Sequence, residues 1–228
     1  HHLWDRDSHR YLLDELLVDF ASGHNITATV FVECGSMYRA GGPVALRPVG
    51  ETEFVNGVAA MSASGGYGTP RVAAGIVGHA DLALGAAVDE VLEAHVAAAP
   101  ARFRGIRHAA GWDASDAVRN SHSHPPRGLL GDAGFREGYA RLAARGLLFE
   151  AWLYHPQIPE LTALARAFPE TTVVFDHFGG PLGIGPYADR RDEFFAGWQR
   201  DVAELASCPN VVAKLGGLAM KLNGGRWH

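Results

Sequence analysis

The sequence predicts an α/β chain of the (β/α)8 TIM-barrel type, and three observations predict it. Six apolar runs bounded by turn residues alternate with helical patterns. The runs are nearly continuous in apolar residues, as strands covered on both faces must be. Five of them carry a polar or titratable residue at or near the C-terminal end: Glu33, His79, His108, His155 and His177. A barrel gathers its chemistry from the loops after many strands, whereas an open doubly wound sheet concentrates it at one switch point. The spread of these residues favours the barrel.

Taken in order, the strands are expected at 26–33, 71–80, 102–108, 147–155, 171–177 and 210–216. Helical spacing places helices at 84–99, where Val88, Val91, Leu92 and His95 share a face, and at 135–145, 159–167 and 190–206. No G-x-G-x-x-G turn follows the first strand, and GGPLGIG after His177 lacks the Lys-Ser/Thr of a phosphate loop. Residues 120–128, NSHSHPPRG, read as a loop. The strand count is two short of a closed barrel, so the chain reads as a fragment carrying six or seven of the βα units.

The length of 228 residues, with 47% hydrophobic and 20% charged content, suits one globular domain spanning 1–228. A formal net charge of −5 without a dense Lys/Arg run argues against a nucleic-acid surface and leaves a small-molecule substrate. Cys34 and Cys208 lack metal-type spacing and read as buried thiols. No secretory signal and no membrane-length apolar run is seen, so a reducing cytoplasm is the expected setting and no membrane partner is expected. Homo-oligomerisation is left open.

Alternation in LLFEAWLYH puts Phe149, Ala151, Leu153 and His155 on one side and Glu150, Trp152 and Tyr154 on the other. In TTVVFDH it groups Val173, Phe175 and His177. If that face is the inner one, both imidazoles crown the barrel mouth. A neutral imidazole there binds zinc or acts as a general base, since its ordinary pKa lies near 6.5. His177 is the leading catalytic candidate and His155 follows it. His79 and His108 are candidate pocket residues, and His122 and His124 read as solvated. His9, His24, His95 and His228 read as surface or incidental. Glu33 ends an apolar strand, where a buried carboxylate needs a partner or a task. Arg107 could hold an anionic substrate group or pair with a carboxylate. Asp176 reads as a helix-side residue, and Lys214 as either an ion-paired barrel residue or a group reaching the pocket. Trp4, Tyr38, Met61, Tyr67 and Trp112 are candidate wall residues.

The segments HHLWD, RFRGIRH, LLFEAWLYHPQIPEL, TTVVFDHFGGPLG and NVVAKLGGL, in that order, resemble the amidohydrolase-related (amidohydrolase 2) TIM-barrel hydrolases, in the branch that includes sugar-acid and pyrone-dicarboxylate lactonases. The likeness runs along essentially the whole chain. It implies an H-x-H pair after the first strand, of which His2 is the second member and the first would precede His1. It also implies that His177 is the sixth-strand histidine, and that His155 and Gln157 compete for the fifth-strand role. The family's eighth-strand aspartate has no counterpart here. The implied site has His177 as catalytic residue, His2 and His155 as ligands of a divalent metal, zinc first, and Trp4, Glu33, His79, Arg107, His108 and Gln157 around the substrate. The implied reaction is opening of a lactone ring by activated water. The alternatives are a metal-dependent decarboxylase of the same superfamily and a non-catalytic fragment that only binds a ligand.

Overall fold

The computed structural model describes residues 1–6 and 9–225, so His228 lies outside the described residues. The chain forms two compact units, His1–Asp81 with Ala87–Arg107, and Leu82–Ala86 with His108–His228.

The first unit opens with an antiparallel hairpin, β1 (Trp4–Arg6) and β2 (His9–Tyr11), and helix α1 (Leu13–Phe20). Strand β3 (Ala28–Val32), helix α2 (Val49–Ala63), strand β4 (Arg71–Gly78), helix α3 (Val88–Ala98) and strand β5 (Phe103–Arg107) follow. The three strands β3, β4 and β5 run parallel, with Val32 opposite Val77 and Gly78 opposite Ile106. All three fall inside the runs expected from the sequence. Their β-branched and aromatic residues Phe31, Val32, Val72, Ile76, Val77, Phe103 and Ile106 are buried, which is what pleated, covered strands favour. Ala73 stands at φ 48 where the β3–β4 register slips, and its N–H is taken by the Thr29 hydroxyl at 2.9 Å. This is a bulge whose displaced donor finds a side-chain acceptor.

Helix α3 buries Val88, Val91, Leu92 and His95, the face the spacing predicts. His95 is a correction, because it is wholly buried and not incidental. Its Nε2–H donates to the His79 carbonyl at 2.9 Å, Nδ1 lies 2.8 Å from the Thr52 hydroxyl, and the ring stacks on Phe103 at 4.9 Å. Burial holds this imidazole neutral, with its pKa lowered to about 4. The helical pattern located the residue on the covered face, and only its polarity suggested otherwise.

The second unit contains α4 (Ala133–Tyr139), β6 (Leu148–Ala151), α5 (Ile158–Ala167), β7 (Val173–Phe175), α6 (Arg191–Leu205) and β8 (Val211–Ala213). Strands β6, β7 and β8 are parallel, with Phe149, Val173 and Val211 in register. Asp132 caps α4 by accepting the Phe135 N–H at 2.9 Å, a contact worth about 1 kcal/mol. Pro159 enters α5 in its first turn, where a missing N–H costs nothing. Phe149 meets Tyr139 edge to face at 5.1 Å and Phe135 at 6.0 Å, so this face of β6 is sealed by α4. Truncating Phe149 to Ala would cost about 3–5 kcal/mol.

The hairpin and the helices α1 and α2 are absent from the sequence expectation. The buried positions of α2 include Glu51, Thr52 and Ser62 as well as Val49, Val55, Val58 and Ala59, so polar and small residues interrupt the stripe that periodicity reads. Among the described residues no helix is long and apolar enough to cross a membrane.

Candidate functional site

Both units place polar side chains at the C-terminal ends of their strands. In the first unit Glu33 directly follows β3, still in the ladder through its N–H to the Val77 carbonyl at 2.8 Å. Its side chain is fully buried and receives the Arg107 Nε–H at 2.7 Å, while a second guanidinium nitrogen donates to the Glu33 carbonyl. Two residues singled out by the sequence are thereby brought together. Burial of either charge alone would cost several kcal/mol, so each is the condition for the other. His79 joins them by donating Nδ1–H to the Arg107 carbonyl at 3.0 Å.

His2 runs beside the same strand. Its Nδ1–H donates to the Val32 carbonyl at 2.7 Å, which fixes the tautomer and leaves the Nε2 lone pair for another partner. Burial, the nearby Arg107 charge and the chain's amino group lower its pKa to about 4, so the ring is neutral near pH 7. Trp4 packs 6.1 Å from His2 and also against His9 and Tyr11, forming an aromatic wall on the hairpin. Burial, reinforced by nearby Glu51 and Glu33, raises the phenol pKa of Tyr38, in the loop after β3, far above the ordinary value.

In the second unit the strand faces are the reverse of the expected ones. Phe149 packs on α4, and Phe175 lies near Ile158 on α5, because a Cβ at Gly179 would come within 2.7 Å of the Phe175 ring and 2.8 Å of Ile158 Cδ1. The polar face is the other one. Lys214 Nζ lies 2.8 Å from Glu150 and 2.8 Å from Asp176, with the two carboxylates nearly or fully buried. Asp176 is therefore not helix-side, and Lys214 is ion-paired. Alternation gave the correct pairing of residues into faces. It could not say which face the helices cover, since both are apolar enough.

The alternation also stops before the histidines. His177 adopts φ 51 and Phe178 φ 57, followed by Gly179 and Gly180 with positive φ, so the chain leaves β7 through a left-handed turn. Such a conformation is uncommon for non-glycine residues and persists where the surroundings impose it. Here a Cβ at Gly217 would come within 2.6 Å of His177 Cβ, and Trp152 meets the imidazole edge-on at 5.6 Å. The ring of His177 is thus seated between Trp152 and the Gly216–Gly217 backbone.

His155 lies in a 3-10 turn after β6, past the strand. Its Nδ1 accepts the Leu182 N–H at 3.2 Å, and burial lowers its pKa. A neutral ring so arranged carries its proton on Nε2 and presents a donor; a metal there would require that proton to leave. His155 borders a cavity of about 260 Å3 with Phe178, Leu182, Arg191, Phe194 and Trp198. Gln157 is used as a brace: it accepts from Tyr154 N–H at 3.0 Å and donates to the Trp112 carbonyl at 2.7 Å. His108 is buried, accepts the Leu82 N–H at 3.2 Å and packs on Phe135 of α4. His122 and His124 are exposed. Glu51 was missed by the sequence reading; it is buried in α2 and holds the loop after β3 through the N–H groups of Cys34 and Ser36 at 3.0 and 2.8 Å. A polar residue at an inward helical position is the signal that could have found it.

Among the described residues no group of three or more His, Cys, Asp or Glu side chains could hold a metal ion. His2 belongs to no such group among the described residues.

Comparison with known proteins gives these residues a context. The sequence profile of the amidohydrolase family matches residues 1–227. The chain belongs to the amidohydrolase family. An uncharacterised protein, y4mH, of Sinorhizobium fredii is 32% identical over 218 residues, covering 96% of this chain and 62% of that protein. An L-fucono-1,5-lactonase of Burkholderia multivorans is 34% identical over 92 residues, 40% of this chain and 30% of that enzyme. The chain thus spans at most about three fifths of the length of these curated relatives. Among solved structures, an amidohydrolase from Burkholderia multivorans matches with TM-score 0.65 and 26% identity over 97% of this chain and 70% of its own. A second crystal form of that amidohydrolase, matched at 25% identity, holds zinc. A Pseudomonas putida protein assigned, without demonstrated activity, as a 2-pyrone-4,6-dicarboxylic acid hydrolase shares the fold at TM-score 0.55 and 18% identity, over 96% of this chain and 63% of that one. The fold class is therefore the one expected: an α/β chain of the amidohydrolase (β/α)8 type, incomplete, with six parallel strands among the described residues.

Proposed function

We propose that the protein to which this amidohydrolase-family chain belongs is a divalent-metal-dependent hydrolase that opens the lactone ring of a small sugar-acid or dicarboxylate substrate. The lactonase names among the relatives and the zinc held by a related amidohydrolase support the reading. The observation that carries it is the seat of His177: an imidazole at a strand end, held in a left-handed turn by Trp152 and Gly217 beside the Asp176–Lys214 pair. Backbone strain of this kind is maintained at positions where a side chain must be aimed.

A divalent ion bound with His2 among its ligands would lower the pKa of a bound water towards neutrality. The chain's own residues do the rest. His177 holds a proton at Nε2 for the ring oxygen as the carbonyl carbon–oxygen bond breaks, general acid catalysis of the ordinary kind. His2 stays neutral through the Val32 carbonyl and keeps its Nε2 lone pair. The Glu33–Arg107 pair fixes the ends of β3 and β5, with His79 tied to the latter. In the second unit His155 offers a donor, and Gln157 braces the Tyr154 and Trp112 backbone beside it.

The test is an assay of the full-length protein on sugar-acid lactones and 2-pyrone-4,6-dicarboxylate, before and after chelation. Ring opening with proton release, lost on chelation and restored by zinc, is the expected result. Carbon dioxide release would replace the lactonase reading with the decarboxylase one. Turnover unaffected by chelation would remove the metal from the proposal.

A further inference from the structure

We propose that the first unit carries an anion-binding site for a phosphoryl-bearing small molecule at the N-terminal end of strands β4 and β5. A cavity of about 310 Å3 opens there, lined by Arg71, Arg102 and Arg104 together with Ser62 and Val72. Arg71 is the first residue of β4, and Arg104 is the second of β5. Arg71 is separated from His79 by the eight residues of β4, about 25 Å at the usual rise, and neither Glu33, His79 nor Arg107 lines the cavity. The cavity is therefore separate from the site described above.

Charge gathers here without a counter-charge. Several other arginines of this acidic chain meet carboxylates: Arg10 with Asp14, Arg39 with Glu53, Arg107 with Glu33, Arg166 with Glu204 and Arg190 with Glu193. Among the described residues Arg71, Arg102 and Arg104 have no such partner. What they do have orients them. Arg102 donates to the Asn56 side-chain oxygen at 2.8 Å, and Arg104 donates to the carbonyls of Phe103 and Ala101 at 2.9 and 2.7 Å. These bonds hold two guanidinium planes in fixed directions and neutralise none of the charge. Three cations round one concave space repel each other unless an anion joins them. Guanidinium forks match the paired oxygens of a phosphoryl group, which brings two or more negative charges in a compact volume.

Inorganic pyrophosphate is the probe, titrated calorimetrically into this chain at constant ionic strength. Saturable one-to-one binding is expected, weakening as salt is raised. Arg71→Gln and Arg104→Gln should each weaken it about tenfold or more, the value of a charge-assisted hydrogen bond. Arg47→Gln, at a half-buried arginine that does not line the cavity, should leave it unchanged. In the wild-type chain pyrophosphate should shift the side-chain N–H resonances of Arg71, Arg102 and Arg104, a readout that stands even if a variant folds poorly. Failure to saturate, equal binding by the variants, or shifts spread over other arginines would overturn the site. Citrate binding as tightly as pyrophosphate would overturn its assignment to a phosphoryl ligand.

Discussion

At the ends of β3 and β5, a buried carboxylate and a buried guanidinium meet at 2.7 Å, while at the ends of β6, β7 and β8 one ammonium is divided between Glu150 and Asp176. The two arrangements fail differently when a partner is lost. A guanidinium cannot shed its proton, so Arg107 without Glu33 stays charged in a buried place. Lys214 is about a third exposed, so water can take its place beside Glu150 and Asp176. The backbones differ as well: β3 stays in the ladder through Glu33, whereas β7 turns left-handed one residue after Asp176.

The largest effect should therefore follow Glu33→Ala. Stranding Arg107 should cost about 3–5 kcal/mol of unfolding free energy, read from urea titration, with little dependence on pH between 5 and 9. A loss under about 1 kcal/mol would mean that Arg107 has ample solvent or other partners, and the contrast between the two ends would dissolve.

Next comes His177→Ala in the full-length protein. Removing a general acid should lower kcat/KM on the cognate lactone by about 10²-fold or more, with the melting temperature nearly unchanged. His122→Ala and His124→Ala, both at exposed loop positions, should stay within a few-fold. Parallel losses at all three would show that the assay reports folding and not chemistry.

Lys214→Met should cost less than Glu33→Ala, about 2 kcal/mol near neutral pH. A penalty as large as that of Glu33→Ala would show that the two ends do not differ in this way.

The strands were legible because burial on both faces leaves an apolar run that few other structures produce, and all six lie within the expected segments. Glu33 and Arg107 were legible because a charge closing an apolar strand demands a partner. The inward face of β6 was not, since Phe149 and Val173 are apolar toward the helices, while Glu150 and Asp176 share Lys214 on the opposite face. His177 escaped the alternation rule altogether. Its direction is set by a positive φ and by the close approach of Gly217, both non-local facts. Helix α2 was hidden by the polar residues it buries, Glu51 foremost.

Glu51 offers the mildest and most selective probe of the first unit. Its Oε1 accepts the Cys34 and Ser36 N–H groups, while Oε2 has no hydrogen-bond partner among the described residues. Burial, reinforced by nearby Glu33, raises its pKa from 4.5 to about 7. The native carboxyl thus keeps a proton that the unfolded chain has lost, so its contribution to stability falls as pH rises from about 4.5 to about 7. His2 and His95, both lowered to about 4, contribute the opposite slope between about 4 and 6.5, which masks Glu51 in the wild-type curve. Glu51→Gln mimics the protonated acid and keeps the acceptor for the loop N–H groups. The difference in unfolding free energy, variant minus wild type, should be flat below pH 4.5, rise through pH 7 and then level off. A difference independent of pH would place an ionised Glu51 in the folded chain, and the loop after β3 would then be held by a charge comparable to the one on Glu33.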